Sequence, residues 1–83
     1  MPRFYFDVRL GDCIVRDNEG TELQDMQGAV DFALDEIREL LMTRAGSKIT
    51  VAEAKIDICD TGRHLLISVP FAEALTWNVD PPK

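Results

Sequence analysis

The chain changes its apolar period twice, and that change restricts its fold more than any other feature. From Arg3 to Leu10 the apolar residues fall at every second position, with Phe4, Phe6, Val8 and Leu10 on one side and Arg3, Tyr5, Asp7 and Arg9 on the other. Successive strand side chains point to opposite faces, so this is a half-buried β-strand. From Met26 the spacing switches, and Met26, Val30, Ala33, Leu34, Ile37, Leu40 and Leu41 share one side of a helix. Period two returns in Ala54–Cys59 and again in His64–Val69.

Turn chemistry marks the joints. Gly11-Asp12 separates the first strand from Cys13-Ile14-Val15-Arg16 and suits a tight antiparallel hairpin. Asp17-Asn18-Glu19-Gly20 is a turn, after which Thr21 to Gln24 leads away. Asp25 can cap a helix expected to run from about Met26 to Arg44, with Gly46 as its stop. Ile49 to Glu53 has no decisive pattern, Asp60-Thr61-Gly62-Arg63 is a compact turn, and Pro70 ends the last strand. One helical turn is expected at Ala72-Glu73-Ala74-Leu75, before Trp77 and the closing Pro81-Pro82-Lys83.

The predicted order is strand, strand, helix, strand, strand: an α+β domain over residues 1–75 with one helix on one face of a small sheet, and a tail over 76–83. Val30, Leu34, Ile37 and Leu41 should pack against Phe4, Phe6, Ile56, Ile58, Leu65 and Ile67. Eighty-three residues leave no room for a second domain.

A net charge of −6 argues against binding to nucleic acid or an anionic membrane surface, both of which need excess Lys and Arg. The start alternates apolar with charged residues, unlike a secretory signal, and no apolar run approaches the length of a membrane span. A cytoplasmic location is expected, where Cys13 and Cys59 would stay reduced.

The cluster Asp57, Cys59, Asp60 and His64 is the one grouping that invites a metal reading. It lacks the paired Cys or His spacing of zinc sites, and Asp60 and His64 suit a hairpin turn. The segment Asp17 to Glu22 lacks the remaining liganding positions of a calcium loop. No GxGxxG, P-loop, GxSxG or HExxH pattern occurs, and the single His has no nucleophile beside it in a known signature. No catalytic residue, metal or cofactor is therefore expected.

Surface chemistry says more. Asp31, Asp35 and Glu39 follow one another four apart on the helix, a like-charge row that invites a basic partner. Phe32 lies off the apolar stripe, on the outer side among acidic neighbours or under the tail. Tyr5, Ile14 and Leu66 fall among the polar residues of the sheet's second face, which one helix leaves open. That face should be covered by the tail, through Trp77, or by a second subunit, and a homodimer is expected.

The chain resembles a small family of uncharacterised proteins, a domain of unknown function common in rhizobia and related alphaproteobacteria. The resemblance rests on Met1-Pro2-Arg3-Phe4-Tyr5-Phe6, the acidic turn Asp17 to Gly20, Leu23-Gln24-Asp25 before the helix, and Val69-Pro70-Phe71 followed by Ala74-Leu75. Members often carry His where this chain has Asp7. The resemblance implies a bacterial protein and brings no activity.

The expected function is a non-enzymatic protein-interaction or regulatory module. The alternative is a small-molecule or metal-binding domain with weak hydrolase activity. A third reading, by analogy with hairpin-then-helix antitoxins, is an acidic neutraliser of a basic protein.

Overall fold

A computed structural model describes residues 1–43 and 50–77, with side chains through Ala74. The chain forms β1 (Arg3–Leu10), β2 (Cys13–Val15), β3 (Thr21–Glu22), α1 (Met26–Met42), a 3₁₀ turn (Val51–Glu53), β4 (Ala54–Cys59), β5 (Leu65–Pro70) and α2 (Phe71–Trp77). All strand pairings are antiparallel, in the order β2-β1-β4-β5, with β3 also paired to β1. This is the α+β architecture that the two changes of period require, with two additions. Thr21–Glu22 pairs with Arg3 and Phe4 rather than leading away, and the expected single helical turn near the end is a helix of seven residues.

Local chemistry explains the element ends. Gly11 has a φ of +67° in the β1–β2 turn, a conformation that costs glycine nothing. The Asp25 carboxylate accepts the Gly28 N–H at 2.9 Å, satisfying one of the amides that the first helical turn leaves free. At the other end the Thr43 hydroxyl donates to the Leu40 carbonyl. The expected terminating residues Arg44 and Gly46 lie outside the described residues.

The core sits between the sheet and α1. Ala29, Ala33, Leu34 and Ile37 of the helix meet Phe4, Phe6, Ala54, Ile56, Ile58 and Val69 of the sheet, and Phe71 and Ala74 of α2 close one end. Ile37, Ile56, Ile58 and Phe71 are fully enclosed, each contributing about 1.5–3 kcal/mol through removal of apolar surface from water. Val30 and Leu41 are only half-buried at the margin of this cluster.

Two expectations for the core are corrected. Leu65 and Ile67 are 59% and 41% exposed, because β5 is an edge strand among the described residues and a groove separates Ile67 from α1. A register shift between Ile58 and Cys59 also sets Cys59 opposite Leu65, so Leu65 leaves the side that Ile67 and Val69 occupy. Phe32, placed outside the apolar stripe by its spacing, instead packs on the core, its ring 4.7 Å from that of Phe6. Phe32 stays half-buried there, reaching the β1 side chain Phe6 from the flank of α1.

Candidate functional site

The sheet face away from α1 is polar and tightly bonded. Pairing sets Asp7 directly opposite Asp57, with Arg9 opposite Lys55 and Tyr5 opposite Cys59 in the neighbouring rows. Asp7 and Asp57 are both buried, and burying carboxylates demands partners. Asp57 accepts from the Ser68 hydroxyl at 2.6 Å and from Arg9 Nε at 3.0 Å. Asp7 Oδ1 accepts the Asp17 N–H at 2.9 Å and faces Arg63 Nη1 at 3.5 Å, while Arg16 stands 4.0 Å from Oδ2.

The Asp17 carboxylate in turn accepts from β1, at Phe6. β2 covers Val8 to Leu10 of β1 and β3 covers Arg3 and Phe4, which leaves a gap along that side of the strand. The Phe6 N–H lies in the gap and donates to Asp17 Oδ2 at 3.1 Å, while Oδ1 takes the amides of Glu19 and Gly20. Gly20 is required here: its φ is +74°, and a Cβ would lie 2.9–3.0 Å from Arg3, Phe4 and Tyr5. Arg63 holds the same loop from the β4–β5 turn, donating to the Asp17 carbonyl at 3.2 Å and lying 4.8 Å over the Tyr5 ring. Its φ is +65°, a left-handed conformation costing a residue with a Cβ on the order of 1 kcal/mol. These contacts make the outer face a staple between β1, the β2–β3 loop and the β4–β5 turn.

Burial alone would raise the Asp57 carboxyl, but the Ser68 and Arg9 hydrogen bonds and the Arg9 and Lys55 charges outweigh it and hold the group below its ordinary pKa. Asp17 behaves alike: burial raises it, and the Gly20, Phe6 and Glu19 amides with the Arg63 charge bring it down. A carboxyl depressed on folding stabilises the fold above its unfolded pKa, near about 4, and loses that contribution as pH falls through its folded value. Thermal unfolding should therefore vary little with these groups between about pH 7 and 5 and fall below about pH 4. The fall should be shallower in Asp57→Ala, and an equally steep one would refute this origin.

The residues singled out on the second face are separated. Tyr5 stands in the Cys59 row, and Ile14 stands opposite Arg9, two positions along β1 beyond the Asp7 row. Leu66 lies in the irregular stretch of β5, 42% exposed at the sheet edge. Asp35 is ion-paired with Arg38, one turn further along α1. Glu39 is exposed, and Trp77 ends α2 with its side chain outside the described residues. Asp60 and His64 are occupied by turn formation, since the Asp60 carboxylate accepts the Gly62 and His64 amides at 2.9 Å. The His64 amide first, helped by the Gly62 amide and the His64 side chain and opposed by desolvation, holds Asp60 below its ordinary pKa. Cys59 is pushed up by burial and by Asp7, against Arg63.

A groove of about 480 Å³ opens between α1 and β5, lined by Val30, Leu34, Ile67 and Val69 with Gln27, Ser68, Pro70 and Glu73 around them. Gln27 donates to Asp31 at 3.2 Å, which brings the start of the acidic row to the groove's lip. Neither Asp31, Glu39 nor Glu73 has an ion pair among the described residues. β5 carries no charged side chain, and among the described residues it pairs with β4 alone. At the opposite side of the sheet β2 pairs, among the described residues, with β1 alone and is exposed throughout.

Among the described residues these features define a small α+β domain with one principal helix, an internally stapled outer face and two open strand edges. The chain belongs to the family described as a domain of unknown function, DUF6894, whose pattern matches residues 3–72, from the first residue of β1 into α2. No curated protein and no solved structure matches the chain. No described helix is long and apolar enough to cross a membrane.

Proposed function

We propose that this domain is a non-enzymatic protein-interaction module whose β5 edge accepts an extended segment of a partner carrying apolar and basic side chains. The observation that carries this reading is the junction of an unprotected strand edge with an apolar groove under an acidic lip. An added strand would gain main-chain hydrogen bonds from β5, seat alternate side chains over Ile67 and Val69, and direct cations toward Asp31 and Glu73. Edge strands are commonly blunted by charge or by a bulge that twists them away. In β5 only the irregularity opposite Cys59 and the terminal Pro70 do so, and Leu65, Leu66 and Ile67 stay in water. A neutraliser of a basic protein is one form of the same reading.

Fluorescence anisotropy with a short labelled peptide alternating valine and lysine tests it. Saturable binding is expected, with loss in Ile67→Arg and loss for the peptide that carries glutamate in place of lysine. Ile67 is 41% exposed at the edge, so its replacement should leave the fold intact. Equal binding by Ile67→Arg, or by the glutamate peptide, would overturn the proposal.

A further inference from the structure

The β2 edge has a different character, because its sequence is complementary to itself. Asp12-Cys13-Ile14-Val15-Arg16 has an apolar centre with opposite charges at its two ends. All five residues are exposed, Ile14 and Val15 by 43% and 57%. The Asp12 side chain makes no hydrogen bond or ion pair among the described residues, and Arg16 approaches Asp7 at 4.0 Å. None of Cys13, Ile14 and Val15 belongs to the core, yet these three β-forming apolar or thiol side chains stand in solvent on a strand whose outer edge is unpaired among the described residues.

We infer that β2 pairs antiparallel with β2 of a second copy about a two-fold axis through Ile14. That register sets Ile14 against Ile14, Cys13 against Val15, and Asp12 against Arg16 twice. The faces agree as well. Ile14 stands opposite Arg9 on the outer side, where Arg16 reaches toward Asp7, so Arg16 and Ile14 share that side. Cys13 and Val15 stand opposite Leu10 and Val8 on the helix side, and pairing would extend the half-buried strip that Val8 and Leu10 begin. A parallel arrangement would oppose Asp12 to Asp12 and Arg16 to Arg16, and like charges directly opposite destabilise a ladder. A second copy at β5 would bring two acidic lips together, so self-pairing belongs to β2 and the basic partner to β5.

Five residues of edge fall well below the roughly 800 Å² per partner of a standard interface. The dimer is therefore weak, and its test must reach high concentration. Sedimentation equilibrium from about 10 µM to about 1 mM, with reductant present to keep Cys13 free, should show a monomer–dimer equilibrium. Asp12→Arg and Arg16→Asp should each weaken it about tenfold or more, having exchanged two attractive pairs for two repulsive ones. An equimolar mixture of those two variants should form a heterodimer, and the double variant should dimerise like the natural sequence. Asp12→Arg removes no side-chain hydrogen bond or ion pair found among the described residues, so its result stands even if Arg16→Asp disturbs Asp7. A single 9.3 kDa species throughout overturns the inference. So does dimerisation of Asp12→Arg at undiminished strength. Ile67→Arg leaves this edge untouched, so the two interaction sites fail or survive separately.

Discussion

Ile37→Ala should lower the stability of the domain by about 2–5 kcal/mol, the range for emptying an enclosed aliphatic site that the surroundings cannot refill. Ile37 is fully enclosed at the centre of α1, among the sheet, α1 and α2 side chains of the core. Domains of this size shift in melting temperature by about 4–8 °C per kcal/mol, so the midpoint should fall by at least about 10 °C. Total stability for such domains is about 5–15 kcal/mol, and a loss at the upper end would leave much of the chain unfolded near body temperature. Two controls separate a core effect from a helix-propensity effect. Met42→Ala, at an 86% exposed position of the same helix, should change stability by less than about 0.5 kcal/mol. Ile67→Ala should also cost much less than Ile37→Ala. Thermal unfolding followed by circular dichroism decides it, and equal losses for Ile37 and Ile67 would refute the observed arrangement of the core.

That pair of isoleucines also shows where the sequence stops being informative. Period two correctly identified β1, β4 and β5, and the helical spacing correctly placed Ala33, Leu34 and Ile37 inward. Periodicity reports which side of a strand is apolar, however, and says nothing about the strand's position in the sheet. Ile58 and Ile67 read alike and are paired neighbours, yet Ile58 on a central strand is fully enclosed and Ile67 on the edge strand is 41% exposed beside the groove between α1 and β5. The bulge that moves Leu65 to the other side is equally silent, since it depends on one residue out of register rather than on any residue type. β3 escaped notice because two residues are too few to show a period.

The surface was legible in a similar proportion. The acidic row on α1 could be seen from spacing alone, but that it starts at the lip of an apolar groove depends on where β5 lies. Period two alone places Asp7 and Asp57 on the polar sides of their strands. Their burial and mutual opposition follow from the β1–β4 register, which no local pattern encodes. The charges flanking Ile14 were in plain sight, and they acquire meaning only once β2 is known to be the outermost strand on its side.

The second large effect should come from a residue that sequence patterning reads only as part of a turn. Asp17→Ala removes the acceptor of three backbone amides, those of Phe6, Glu19 and Gly20. A hydrogen bond to a charged group contributes about 1.5–3 kcal/mol, and a buried amide left without a partner costs about 1–3 kcal/mol. The Glu19 amide is exposed and can turn to water, whereas Phe6 is buried in β1 and its N–H, in the gap between β2 and β3, donates to Asp17. These bonds share one carboxylate and do not add, so the expected loss is about 2–4 kcal/mol. Asp17→Asn separates the contributions. Its amide oxygen can still take Glu19 and Gly20, but its NH₂ would meet the Phe6 N–H donor to donor, so it should recover only part of the loss. Arg63 and Asp7 would still hold the loop through the Asp17 carbonyl and N–H, so the fold should survive with a loosened β1. Amide exchange read residue by residue distinguishes this from general destabilisation. Under native conditions the Phe6 amide should exchange at least about tenfold faster in Asp17→Ala, while the amides of Ile56 and Ile58 slow or quicken only in step with global stability. If Phe6 is protected in the variant as well as in the natural sequence, Asp17 is not the partner that closes the β1 edge.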